Sequence, residues 1–154
     1  MKVIMGADPK GFALKNAVKE ALIERGHAVF DATPDEPINF KDAAIAVAKG
    51  VQQKQYERGL VFCGSGMGVS IVANKFRGVY CALCESVYTA RRAKVINNTN
   101  VLAMGGMVMG PEMGVEAALA WLDANHTDGL APERAEKAKA EFAALVEIET
   151  LQFK

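Results

Sequence analysis

Leu60-Val61-Phe62-Cys63-Gly64-Ser65-Gly66-Met67-Gly68 is the stretch that decides how this chain folds. An apolar run stops at Cys63, glycines follow at 64, 66 and 68, and Val69–Phe76 then resumes with a helical pattern. The run does not alternate with polar residues, so its two faces are both expected to be buried. That is the mark of a strand inside a parallel sheet covered by helices.

Working outward, the same unit repeats. Lys2–Ala7 reads as a buried strand ending in the turn Gly6-Ala7-Asp8-Pro9-Lys10-Gly11. Leu14, Val18, Ala21 and Leu22 recur at helical spacing over Phe12–Arg25, and Gly26 marks the stop. His27–Asp31 is a second strand, Pro34 and Pro37 punctuate a loop, and Phe40–Val51 is helical. Past the central turn, Val79–Leu83 and Asn100–Met104 read as strands, with a helix over Val87–Val95 between them. Pro111 sits where a first-turn proline belongs and opens a helix through Trp121 and Leu122. Strands alternating with helices of this length specify an α/β fold: a five-stranded parallel sheet with helices on both faces. A last helix, about Pro132 to Glu149, lies outside the alternation and is expected to pack on a partner subunit.

Length and composition bound the function. A chain of 154 residues makes one domain, spanning 1–154, with a core of its own. Eighteen basic residues balance eighteen acidic ones, which argues against broad electrostatic binding to nucleic acid or an anionic membrane. No signal peptide or membrane span is legible, and the three cysteines, Cys63, Cys81 and Cys84, read as reduced thiols, so a cytoplasmic protein is expected. Cys81 and Cys84 are separated by an odd number along a strand, which sends their side chains to opposite faces and opposes a disulfide or shared metal. No His, Cys or carboxylate cluster has metal-ligand spacing, and no metal or cofactor is expected.

In parallel sheets ligands bind beyond the carboxyl ends of the strands. That rule selects Asp8, the Cys63–Gly68 turn and Gly105-Gly106. The turn matches neither nucleotide-binding glycine fingerprint, nor the G-x-S-x-G of a nucleophile elbow. Its backbone N–H groups can converge on an anion, and a thiol at a helix N-terminus becomes a usable base near neutral pH. The plainer alternative is a tight turn with a small buried cysteine. His27 and His126, at a helix–strand junction and in a late loop, read as surface or capping residues. Asp8 suits either a substrate hydroxyl or a helix cap. Asn97, with Asn98 and Asn100, reads as a turn before the fifth strand, and Arg134 as solvated surface.

Several stretches resemble the family of ribose-5-phosphate isomerase B and the two galactose-6-phosphate isomerase subunits. They are Gly6-Ala7-Asp8 with Gly11 and Leu14-Lys15, then Cys63 through Gly68 with Ala73-Asn74-Lys75, and Tyr88-Thr89-Ala90-Arg91. Asn97 through Leu102 and Gly105-Gly106 through Glu112 complete the match. The resemblance implies a Rossmann-like three-layer α/β/α fold and metal-free aldose–ketose isomerisation of a small sugar phosphate through a cis-enediol. It makes Cys63 the group that moves a proton between C1 and C2, and Ser65, where the family usually has threonine, the holder of a sugar oxygen. It assigns the backbone N–H groups of Gly64, Gly66, Met67 and Gly68 to the enediolate, and Asp8 and Asn97 to sugar hydroxyls. Arg134 is retained from the phosphate-gripping set, and Lys10, Lys75 or Arg91 is expected to serve as a substitute cation. The family builds each site between two subunits, which implies a homodimer or homotetramer, or a hetero-oligomer with a paralogue. Four positions depart: Pro9 and Ile96 stand where the family has histidines, and Met107 and Leu130 where it has arginines. The alternative they raise is a non-catalytic or partner-dependent sugar-phosphate-binding subunit.

Overall fold

A computed structural model describes residues 1–153. Its strands are β1 (Lys2–Ala7), β2 (Ala28–Asp31), β3 (Arg58–Cys63), β4 (Cys81–Leu83) and β5 (Val101–Gly105). The helices are α1 (Phe12–Glu24), α2 (Phe40–Gln52), α3 (Met67–Ala73), α4 (Val87–Asn97), α5 (Pro111–Leu122) and α6 (Pro132–Gln152). All strand pairs are parallel, in the order β2-β1-β3-β5-β4. The expected α/β architecture, with five parallel strands and an additional C-terminal helix, is what forms.

Alternation along each strand sorts the core into two layers. Met5, Leu60, Phe62, Leu102 and Met104 pack with Leu14, Val18 and Leu22 of α1, Ala90 and Ala93 of α4, and Trp121 of α5. Ile4, Val61, Cys63, Val101 and Ala103 face the other way, onto Val47 and Ala48 of α2 and Val69 and Ala73 of α3. Period-two strands inserted between period-3.6 helices give this result directly. Cys84 joins the first layer and Cys81 the second, so the two thiols lie on opposite faces as their spacing requires, and all three cysteines are free.

Chain order places the site. β2 lies to one side of β1 and β3 to the other, so the connections diverge above the carboxyl ends of β1 and β3. Such a divergence leaves a crevice at the strand ends. Asp8 follows β1 and Cys63 closes β3, so they flank that crevice from adjacent strands.

Several boundaries differ from the sequence expectation. α4 runs through Asn97, so Asn97 ends a helix and the turn begins at Asn98, whose φ of 51° makes it a left-handed cap. α3 begins at Met67, because Gly66 adopts φ 78° and caps it, and the helix is only seven residues long. α6 reaches Gln152; Ala138 is its one buried residue, while Leu145, Ile148 and Leu151 are exposed. Within the chain Phe142 packs edge-on against Tyr80 and His126, and Glu149 accepts the Gly78 N–H at 2.6 Å and the Tyr80 hydroxyl at 3.0 Å. Burial and that carboxylate push the Tyr80 phenol up to about 12. No helix of the described residues is long and apolar enough to cross a membrane.

Candidate active site

The turn after β3 is built from outside as much as from within. Gly106 donates its N–H to the Cys63 carbonyl at 2.8 Å, and Met107 donates to the Gly64 carbonyl at 2.9 Å. These bonds continue the β3–β5 pairing past the strand ends and lay the Gly105-Gly106 segment against the turn. Close approach is possible because Gly105 has no side chain: a Cβ there would lie 2.6 Å from the carbonyl carbon of Ser65. Gly66 then reverses the backbone in a conformation that disfavours other residues and starts α3.

Cys63 is 6% exposed, and its Sγ accepts the Gly66 N–H at 3.1 Å. The thiol is thus oriented by the turn it precedes. Ser65 Oγ accepts the Met67 N–H at 3.3 Å. Because α3 is short, the capacity of this turn to hold an anion resides in its local N–H groups more than in a long helix dipole.

On the β1 side, Asp8 N–H donates to the Phe62 carbonyl at 3.1 Å, tying the two strand ends together. Asp8 Oδ1 accepts the N–H groups of Lys10 and Gly11, both at 2.9 Å. That oxygen organises the turn ahead of α1 and does not cap the helix, whose N-cap is Gly11 with no side-chain cap bond. Oδ2 has no hydrogen bond among the described residues, and the side chain lines the cavity.

Asp8, Lys10, Cys63, Gly64, Ser65 and Gly68 surround one open cavity of about 430 Å³, completed by Phe40, Met107 and Val108. Gly66 and Met67 belong to the same turn, with Met67 exposed at its rim. Lys10 is the sole cation of this lining, and its aliphatic stem lies beside Gly64 opposite the Met107 sulfur. One anion-holding turn, one carboxylate, one cation and an apolar wall suit a small polyhydroxylated molecule with a single charged end.

Asn97 and Arg134 are not brought to this cavity within one chain. Asn97 lines a second cavity of about 300 Å³ with Asn74, Tyr80, Cys81, Thr99 and Leu145. Arg134, near the start of α6, pairs with Glu141 at 3.6 Å, both side chains about half exposed. Asn74 instead clamps the edge of the sheet, exchanging hydrogen bonds of 2.8 Å with the N–H and carbonyl of Cys81. His27 and His126 lie away from the Cys63 cavity, each with a buried ring nitrogen that has no partner among the described residues. Burial lowers the His27 pKa.

Sequence reasoning missed Phe40 and Val108 as parts of the cavity wall. Phe40 opens α2 immediately after its capping Asn39, at the carboxyl end of the sheet, and that position was the available signal.

Comparison with known proteins agrees with this geometry. The sequence pattern of the Ribose/Galactose Isomerase family matches residues 3–138. A 4-deoxy-4-sulfo-D-erythrose isomerase of Clostridium sp. (strain MSTE9) is 42% identical over 139 residues, covering 88% of this chain and 87% of that protein. A D-erythrulose-4-phosphate isomerase of Pectobacterium atrosepticum is 37% identical over 141 residues, covering 89% and 92%. The solved ribose-5-phosphate isomerase B of Clostridium thermocellum superposes with a TM-score of 0.88 at 32% identity, over 97% of this chain and 98% of that one. With the Cys63 turn and Asp8 on adjacent strand ends and a match over nearly the whole chain, this protein belongs to the ribose/galactose isomerase family.

Proposed function

We propose that this protein is an aldose–ketose isomerase for a four-carbon sugar carrying an anionic group on C4, with Cys63 as the base. The observation that carries the reading is the Cys63 Sγ, held by the Gly66 N–H and opening on the cavity that Asp8, Lys10 and Ser65 share. In the aldose direction Sγ takes the proton from C2. The C2–H electron pair becomes the C1=C2 double bond, and the carbonyl electrons move to O1. The Gly66 and Met67 N–H groups are engaged with Cys63 Sγ and Ser65 Oγ, so the other N–H groups of the turn stabilise that oxyanion. The proton held on Sγ then returns to C1 while the O2 proton passes to O1, leaving the carbonyl at C2 and the hydroxyl at C1 of the ketose. A sulfur base suits the task because the C–H beside a carbonyl is only weakly acidic and needs a positioned proton acceptor.

The length of the sugar follows from the residues that depart from the family pattern. Pro9 and Ile96 replace the histidines expected from the resemblance, including the one used for ring opening. A tetrose substituted at O4 or C4 has no hydroxyl with which to close a five-membered ring, so it needs no ring-opening group. With Met107 and Leu130 replacing arginines, Lys10 is left as the cation of the cavity. The two relatives named for four-carbon sugars, one a sulfonate and one a phosphate, support this choice.

Asn97 and Arg134 fit a role in the site of a neighbouring subunit, since neither reaches the cavity of its own chain. The apolar residues exposed on α6 fit the same assembly, a homodimer or homotetramer, or a hetero-oligomer with a paralogue. The test is incubation in D2O with erythrose 4-phosphate, 4-deoxy-4-sulfoerythrose, ribose 5-phosphate and galactose 6-phosphate, followed by NMR. Fastest exchange with the four-carbon substrates is expected. Complete inactivity, alone and with any paralogue, accompanied by saturable stabilisation by the sugars, would leave the non-catalytic binding subunit instead.

A further inference from the structure

Lys15 is the one lysine among the described residues that is fully buried, at 0% exposure. Its Nζ donates to Asp31 Oδ2 at 2.7 Å and to the Thr33 carbonyl at 2.6 Å, with Thr33 Oγ1 at 3.4 Å and the Phe12 ring centroid at 4.3 Å. Asp31 also accepts from Lys19 at 2.9 Å and, through Oδ1, from the Thr33 N–H at 2.9 Å. Burial lowers the Lys15 pKa against the pull of Asp31. Burial also raises that of Asp31, but the two lysine hydrogen bonds outweigh it and hold the carboxyl below its usual range.

The network ends beside the active site. Pairing between β1 and β2 stops at Met5 and Asp31, so the last residues of β1 have no strand on that side. Thr33 takes over: its Oγ1 accepts the Ala7 N–H at 3.1 Å, a buried bond, and Ile38 N–H donates to the Ala7 carbonyl at 3.3 Å. Ala7 is followed directly by Asp8. A buried charged network that is fully satisfied fixes one geometry, whereas an apolar filling of the same space would tolerate several.

We propose that Lys15 and Thr33 are positioning residues for Asp8, the buried ammonium fixing the loop after β2 and the Thr33 hydroxyl holding the end of β1. This rests on the reading of Asp8 as a sugar-binding carboxylate. Lys15 and Thr33 act through Asp8 and touch no substrate. The Leu14-Lys15 pair of the sequence thereby acquires a role distinct from helix packing.

The test is a coupling experiment. Thr33→Val, Thr33→Ser and Lys15→Met are made in the native chain and in Asp8→Ala. The kcat and KM for the best four-carbon substrate are measured with Tm. Thr33→Val and Lys15→Met should lower kcat/KM about tenfold in the native chain and by less than about twofold once Asp8 is gone, with Thr33→Ser restoring native values. Equal proportional losses in both backgrounds, or a change confined to Tm, would overturn the positioning role alone. Unchanged turnover in Asp8→Ala would overturn the reading of Asp8 itself, and this inference with it. Amide exchange of Ala7 reads the network without substrate: Thr33→Val should speed it and Thr33→Ser should not. Equal protection in both variants would refute the proposal even if Lys15→Met fails to fold.

Discussion

Replacing Gly105 with alanine tests whether β5 sets the position of the Cys63 turn. The added methyl carbon would lie 2.6 Å from the carbonyl carbon of Ser65 and 2.8 Å from its Cα and oxygen. Ordinary contact begins at 3.4 Å, so about 0.8 Å of movement is required. All three atoms are backbone, so no flexible side chain can yield in their place. Overpacking of this kind costs about 1–3 kcal/mol, which in a domain of this size lowers Tm by about 2–12 °C. The catalytic effect should be larger, because Gly105 is in register with Cys63 and the next residue bonds its carbonyl. A displacement approaching an ångström at reacting groups costs roughly 100-fold, so kcat/KM should fall about 10- to 100-fold. The assay is steady-state isomerisation of the best four-carbon substrate beside thermal unfolding. Gly110→Ala is the control, since a Cβ there meets nothing within 4 Å and its φ of −70° suits alanine. A folded Gly105→Ala protein with kcat/KM within about twofold of the native value would refute the argument that β5 positions the turn.

Three further outcomes follow from the charges. Lys10→Met should raise KM roughly 10- to 100-fold, the worth of one hydrogen bond to a charged group, with a smaller change in kcat; an unchanged KM would remove Lys10 from the anion site. Burial first, and repulsion from Arg58 second, bring the Lys94 pKa down to about 8 from 10.5. Between those two values the unfolded chain holds a proton that the folded chain has released. Stability measured against Lys94→Met should therefore rise with pH across this window, and a fall would contradict the assignment. Asp31 is the opposite limb, because its folded pKa is depressed: its stabilisation is present above the unfolded carboxylate value and is lost as acid takes pH down through the folded one. An Asp31→Asn protein should lack that part of the acid transition in a urea titration series.

Elements with a strong one-dimensional pattern were legible directly. β1 is Lys2–Ala7 in sequence and structure alike, and the apolar run before Cys63 is the central strand. The end of α4 was not, because Asn97 looks like turn material until Asn98 is seen to take the left-handed cap one residue later. The Cys63 turn and Asp8 could be picked out because strand ends in a parallel sheet define where ligands bind. Convergence of Phe40 and Val108 on the same cavity depends on packing between segments far apart in sequence. Lys15 did leave a trace: it falls three residues before Val18 and seven before Leu22, on the apolar stripe of α1. A lysine there must find a buried partner, yet no local pattern identifies Asp31, which pairs with it only once β2 lies beside β1.

The central claim is that Cys63 moves the proton between C1 and C2. Incubating the best four-carbon substrate in D2O with native protein and with Cys63→Ala, and following deuterium entry at carbon by NMR, tests it most directly. The proposal predicts that Cys63→Ala still binds the sugar but loses exchange by about 100-fold or more, as removal of a general base does. Exchange at the native rate in Cys63→Ala would contradict it.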